Sequence, residues 1–186
     1  MNTGQMMLSV GAIVLLGATV LTLNRSSLQN GTMLQQTQIG IYAISFATST
    51  IEEASGKAFD QNTDNNAVGT TASLTSANAL GVESSNETTT PVSSIKFNDF
   101  DDYNQLNITP RIDTVAGVDI FRTKCSVYYV SDANPEVKVL SPTWFKRMDV
   151  KVYGQGLSDK VMKGYMGITS GDTVKMSYVF SYFFFR

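Results

Sequence analysis

The residues best suited to chemistry lie in one short acidic segment, Phe97–Asn104, with the sequence FNDFDDYN. Its carboxylates, on Asp99, Asp101 and Asp102, are close together in the chain. Carboxylates clustered on a turn can hold a hard cation such as calcium, although the Asp-x-Asp-x-Asp-Gly loop with its distal glutamate is absent. The same side chains can instead accept hydrogen bonds from the backbone of their own turn, anchored by the neighbouring aromatic residues. Both interpretations stay open, and calcium is the only cofactor that the sequence suggests.

Catalysis is poorly supported as a role for these carboxylates. Paired carboxylates can act as general acid and base, as in glycosidases, but nothing else in the chain suggests a substrate cleft. The sequence has no histidine, one cysteine, no Gly-rich phosphate loop and no G-x-S-x-G elbow. We therefore expect that this protein is not an enzyme.

Charge and length restrict the remaining classes of protein. The chain has 186 residues, enough for one domain and an appendage, and its net charge is −2. A net charge of −2 does not indicate a basic surface for nucleic acid, so we predict no nucleic-acid partner. The single cysteine, Cys125, excludes a disulfide within the chain, and its place in an alternating run predicts a buried small apolar residue.

The segment Met6–Leu23 carries the strongest apolar signal, with 18 residues and neither charge nor proline. No lysine or arginine precedes it and no A-x-A-like site follows it, which is unlike a secretory signal peptide. Its length is near the lower limit for a helix that crosses a membrane. We expect lipid or further copies of the chain to cover it.

The helical pattern continues beyond this segment. From Ile39 onward apolar and small residues recur mostly three and four positions apart, which predicts one buried stripe on a helix that reaches about Phe59. We divide the chain into an apolar helix at 1–27, its amphipathic continuation at 28–59, a Ser/Thr/Asn-rich surface linker at 60–95 and a β-rich globular domain at 96–186. Within the linker, Asn86 is the best candidate for N-glycosylation.

In the last part of the chain the apolar period changes to two. Alternation is clear around Cys125 and clearest from Val174 to Phe184, which is typical of antiparallel strands with one buried face. The predicted fold is α+β: a long N-terminal helix whose apolar half protrudes, with its second half packed on an antiparallel sheet of about four strands. Phe183 and Phe185 point away from the predicted core face, and an exposed aromatic pair indicates an interface.

These features together resemble the type IV pilins and pseudopilins, bacterial filament subunits. Gly4 before a long apolar run resembles the end of the leader that a prepilin peptidase cuts, which makes Gly4 and Gln5 the candidate cleavage site. Pilins usually carry glutamate at the fifth mature position, and Ser9 stands there in this chain. The segment FNDFDDYN is also similar to the FDDxDDYN segment found in some bacterial pilin-like proteins just before their sheet.

The resemblance implies a structural subunit of an extracellular type IV pilus-like filament, assembled by bundling of N-terminal apolar helices. Its partners would be copies of itself, the inner membrane before assembly and the pilus assembly machinery. The assembled filament would lie at the cell surface. The alternative is a minor pseudopilin or a membrane-anchored binding module of a secretion or adhesion machine. The residues expected to make the polymer contacts are Met7, Leu8, Val10, Ile13, Val14, Leu15, Leu16, Val20, Leu21 and Leu23.

Overall fold

The computed structural model describes residues 3–83, 87, 96–109, 111–114, 117–154 and 173–183. Asn86 and Phe185, which we predicted as a glycosylation site and an interface residue, lie outside the described residues. The chain divides into two compact units, Met1–Ile39 and Gly40–Arg186.

One helix, α1, extends from Thr3 to Ser55 and contributes to both units. It continues unbroken through Gly31. The predicted end near Phe59 is wrong by about one turn. Ala58 instead forms a parallel bridge with Asp99, in which the Ala58 amide donates to the Asn98 carbonyl at 3.2 Å. That pairing needs an extended backbone, so the helix ends before it.

The described residues of the second unit form five strands: β1 at Asn107–Ile108, β2 at Arg111–Thr114, β3 at Gly117–Tyr129, β4 at Phe145–Gly154 and β5 at Thr173–Ser181. They pair antiparallel in the order β1-β3-β4-β5, and β2 pairs with the beginning of β3. The β3–β4 register aligns Cys125 with Val150 and Tyr129 with Lys146. The long helix and the antiparallel sheet confirm the α+β class.

The part of α1 that belongs to the second unit packs on this sheet through small side chains. Ala43, Ala47 and Ala54 have no exposed surface. Beside them the rings of Phe46 and Phe121 meet with centroids 5.2 Å apart. Small residues on the helix let it approach the large side chains that the strands present, which accounts for the apolar stripe seen in the sequence.

Up to residue 83, the Ser/Thr/Asn-rich segment after the helix contains two short 3₁₀ helices, at Gln61–Thr63 and Thr71–Ser73. Val68, Leu74 and Leu80 are buried there, whereas Val82 is exposed. A cluster of buried side chains joins this segment to the sheet, and its members are Phe59, Val68, Leu74, Leu80 and Tyr129. Trp144, Phe180 and Tyr182 pack around that cluster. The described part of the segment, to residue 83, is therefore held against the second unit.

The close fit at Ala47 leads to a stability prediction. Ala47→Leu adds volume where the side chain is fully buried, so we expect the unfolding free energy of the second unit to fall by about 1–3 kcal/mol. Ser49→Leu makes a similar addition at an exposed position two residues along the same helix and should change stability by less than about 0.5 kcal/mol. Urea unfolding followed by the fluorescence of Trp144, the single tryptophan, measures both. Equal effects of the two substitutions would contradict the packing described.

Candidate functional site

The first candidate site is the apolar surface of the first unit. All ten residues predicted to make polymer contacts lie on α1, with exposed fractions from 56% at Val20 to 79% at Met7. By length and composition this helix could cross a membrane, but length and composition alone are weak evidence for a membrane span. Gly4 and Gln5, the candidate cleavage residues, lie in its first turn. An apolar surface of this extent is typical of a contact with lipid or protein.

The hydroxyl groups within this apolar surface are already hydrogen-bonded. Ser9 Oγ donates to the Gln5 carbonyl at 2.9 Å, and Thr22 Oγ1 donates to the Ala18 carbonyl at 2.8 Å. Thr19 Oγ1 donates to the Leu15 carbonyl at 2.8 Å. Because these bonds stay within the helix, the hydroxyls need no water, and a dry environment costs them little.

The second candidate site is a buried acidic cluster around the 3₁₀ helix Asp101–Tyr103. Asp99 Oδ1 accepts the backbone N–H groups of Asp101 at 2.9 Å and Asp102 at 3.1 Å. Asp102 Oδ2 accepts those of Asn98 at 2.9 Å and Asp99 at 3.2 Å. These four bonds are the turn capping that the sequence suggested as one of two interpretations.

A lysine from strand β4 enters this cluster. Lys146 has no exposed surface, and its Nζ donates to Asp60 Oδ2 at 2.8 Å and to the Phe59 carbonyl at 2.7 Å. It also forms an ion pair with Asp101 Oδ1. The rings of Phe59 and Tyr129 face the same ammonium, with centroids 4.6 and 5.3 Å away. A charge so deeply buried is tolerated only with close partners of this kind.

Several hydrogen bonds hold Asp60 in place for that lysine. The backbone N–H of Thr75 donates to both of its carboxylate oxygens, at 3.1 and 3.2 Å, and Thr75 Oγ1 donates to Oδ1 at 3.0 Å. The backbone N–H of Asn62 donates to Asp60 Oδ1 at 3.1 Å, and Tyr129 Oη donates to Oδ2 at 3.2 Å. Burial raises the pKa of Asp60, but the ammonium of Lys146, with the bonds from the Asn62 N–H and the Thr75 hydroxyl, brings it below the ordinary value. Asp60 is therefore the ionised partner of Lys146.

The other carboxylates of the cluster have raised pKa values, because nearby positive charge and hydrogen bonds do not offset the cost of burying them. Burial, with repulsion from Asp101 and Asp102, raises the pKa of Asp99 to about 9. Burial also raises the pKa of Asp102 to about 6, and burial with the charges of Asp101 and Asp102 raises that of Glu83 to about 7. For Asp101, burial outweighs the attraction of Lys146, so its pKa is also raised.

Several buried oxygens of the cluster have no hydrogen-bond partner among the described residues: Asn98 Oδ1, Asp99 Oδ2, Asp101 Oδ2 and Asp102 Oδ1. Two carboxylate triads have oxygens close enough together to hold one metal ion, with all distances inside each triad within 4.8 Å. One triad is Glu83, Asp99 and Asp101, and the other is Glu83, Glu87 and Asp102. The three aspartates predicted as calcium ligands are thus divided between the two triads, with Asp99 and Asp101 in one and Asp102 in the other, and the structure adds two glutamates.

Sequence reasoning missed the most important member of this cluster. Lys146 lies two positions before Met148 on the inward face of β4, so strict alternation already placed a lysine among buried residues. Asp60 and Glu83 had no comparable signal, because they lie in a segment without periodicity. Of the predicted interface pair, Phe183 is 73% exposed. Comparison with known proteins finds no matching family model, no similar curated protein and no similar solved structure.

Removal of the buried Lys146 ammonium should lower the unfolding free energy of the second unit. Lys146→Met leaves Asp60 and Asp101 without their cation, and we expect a loss of about 3–5 kcal/mol in unfolding free energy. Lys151→Met makes the same substitution at an exposed position of the same strand and should cost less than about 0.5 kcal/mol. Urea unfolding followed by Trp144 fluorescence compares the two, and similar midpoints would show that Lys146 contributes little.

The raised pKa values also predict a pH dependence of stability. Above about pH 4 an unfolded Asp99 is ionised, since its ordinary pKa is 3.8, whereas the folded carboxyl keeps its proton up to about pH 9. Glu83 and Asp102 act in the same direction, so the metal-free protein should become less stable as the pH rises from about 5 to about 8. Urea midpoints measured in chelator test this. Asp99→Asn keeps the Oδ1 acceptor without titrating, so its midpoint should depend less on pH than that of the wild type. An unchanged slope would contradict the assignment.

Proposed function

We propose that this chain is a structural subunit of an extracellular filament of the type IV pilus kind, assembled by bundling the apolar helices of many copies. The observation that carries the proposal is the exposed apolar surface of the first unit, where residues 3–34 of α1 are all exposed. No charged side chain interrupts that surface between Met6 and Leu23.

The size of this surface favours an assembled state. Full burial of one large apolar side chain contributes about 1.5–3 kcal/mol. Burial of ten such residues would contribute roughly 15 kcal/mol or more, which exceeds most estimates of the about 4–15 kcal/mol that association costs. Contacts between different faces of identical subunits generate a helical fibre when the rotation from one subunit to the next does not close a ring.

The details of the helix surface suit a dry bundle. Ser9 replaces the glutamate that pilins usually carry, and its hydroxyl is satisfied within the helix. No buried charge would then need a partner in the bundle. Gly11 and Gly17 each cost about 1 kcal/mol in a helix relative to alanine, yet an added Cβ would meet nothing within 4 Å at either position. Glycines without a packing role inside the chain are suited to close contact between neighbouring helices.

Before assembly the same helix would lie in the inner membrane, where the pilus assembly machinery would extract it. The 18 residues from Met6 to Leu23 give a helix of about 27 Å at 1.5 Å per residue, close to the about 30 Å of a bilayer core. Arg25 follows the apolar run, in a suitable position for the membrane surface. In the filament, the exposed ring of Phe183 would contribute to contacts between subunits.

A charge in the apolar surface tests the proposal. Val14→Asp or Leu15→Asp would place a carboxylate in the dry bundle, so we expect filaments to disappear while the second unit stays folded by Trp144 fluorescence. Val137→Asp introduces the same group at an exposed valine of the second unit and should leave filaments intact.

The measurement is cryo-electron microscopy of material sheared from the native cells, with its subunits identified by intact mass. Filaments built of this chain with residues 6–23 in their core are the expected result. If Val14→Asp still gives wild-type filaments, the bundling proposal is wrong. If the wild-type chain remains in the membrane and occurs in no filament, the anchored binding module is the better description.

A further inference from the structure

With all of its carboxylates ionised, the acidic cluster would carry more negative charge than its own side chains can balance. Asp60, Asp99, Asp101 and Asp102 are at most 1% exposed. Lys146 is the one cation that forms an ion pair with them among the described residues, and it pairs with Asp60 and Asp101. Within the described part of the chain, the hydrogen bonds to Asp99 and Asp102 come from backbone N–H groups. A buried carboxylate without a cation is costly, which makes a further positive ligand favourable here.

The hydrogen bonds leave particular oxygens free. Asp99 and Asp102 each use one carboxylate oxygen for the turn, and Asp101 uses Oδ1 for Lys146. The other oxygen of each carboxylate is buried without a hydrogen-bond partner among the described residues, and so is the amide oxygen of Asn98. Once the carboxyl groups have lost their protons, all of these free atoms are acceptors, so they are suited to a cation and not to an anion.

The separation of the carboxylates is compatible with one bound calcium ion. Within each triad the oxygens lie no more than 4.8 Å apart. Calcium binds oxygen at about 2.3–2.6 Å, so two of its ligands can be up to about 5 Å apart. An all-oxygen set without histidine or cysteine is also typical of a hard cation.

The cluster is accessible from the surface. A cleft of about 510 Å³ is lined by Leu80, Val82, Phe97, Asp102 and Asn104, among other residues. Glu83, which belongs to both triads, is exposed, and its backbone N–H donates to Glu87 Oε2 at 3.0 Å. Asp102 borders this cleft and Glu83 is exposed, so an ion can approach the cluster from their side.

We propose that one calcium ion binds between Glu83 and the Asp99–Asp102 turn. It would be coordinated by the carboxylate oxygens that the turn and Lys146 leave free, with water to complete the shell. The ion would join Glu83 to the acidic turn at the start of the sheet domain. This inference does not depend on filament assembly, and the two can fail separately.

Isothermal titration of the chelator-treated full chain with calcium chloride, in nonionic detergent, tests the site. We expect saturable binding of one ion per chain and a higher midpoint of thermal unfolding in calcium than in chelator, because a ligand that binds only the folded state stabilises it. Magnesium at the same concentration should raise the midpoint less. The same titration into detergent alone gives the background.

Variants locate the ion. Glu83→Gln changes an exposed residue shared by both triads and should weaken calcium binding by about tenfold or more, since affinity follows the number of charged ligands. The double variant Asp99→Asn, Asp102→Asn should abolish binding. Asp132→Asn, at an exposed carboxylate outside the cluster, is the matched control and should bind like the wild type.

Two results would overturn the proposal. One is the absence of both saturable binding and a calcium-dependent unfolding midpoint in the wild type. The other is wild-type affinity in Glu83→Gln, which would place the ion elsewhere. Because Glu83 is exposed, this variant should fold, and Trp144 fluorescence verifies that it does. If the double variant fails to fold, Glu83→Gln therefore still decides the outcome.

Discussion

The second unit depends most on the burial of one ammonium group. Lys146 Nζ contacts the carbonyl of Phe59, the carboxylate of Asp60 and the carboxylate of Asp101. Phe59 and Asp60 belong to the chain after the helix, and Asp101 belongs to the acidic turn. Lys146 itself belongs to the central strand β4. A fully buried charge tolerates little displacement, because each lost contact leaves an uncompensated group in a medium of low dielectric constant. The lysine thereby sets the relative positions of three segments that are distant in sequence.

The backbone around that lysine follows from the same constraint. Ala58 and Asp99 form a bridge, with Phe100 N–H donating to the Ala58 carbonyl at 2.9 Å. This bridge brings Asp60 and Asp101 to the same place and ends the helix at Ser55. The aromatic rings of Phe97 and Tyr103, with centroids 4.8 Å apart, exclude water from one side of the turn. Charge pairing, helix termination and aromatic packing at this point are therefore parts of one arrangement.

The two units differ in how much of the apolar surface of α1 is covered. In the second unit, alanines of α1 and large side chains of the sheet cover one another, and even the polar segment after the helix contributes Leu74 and Leu80 to the core. In the first unit, residues 3–34 of α1 are all exposed. Along its length the same helix therefore changes from an exposed apolar surface to a component of a core.

The sequence by itself determined the features that depend on local pattern. The uncharged run Met6–Leu23 predicted an apolar helix, and strict alternation predicted the strands that contain Cys125 and Met176. It also placed the three aspartates of the turn together, because they are neighbours in the chain.

Only the tertiary structure decided which groups meet from a distance. Lys146, Asp60 and Glu83 join the turn through strand pairing and through a segment with no periodicity, so no local rule links them. The end of α1 was decided in the same way, since the bridge between Ala58 and Asp99 overrides a helical pattern that continued to Phe59. Long-range hydrogen bonds and the cost of burying charge decided these points, and neither can be evaluated from residue spacing alone.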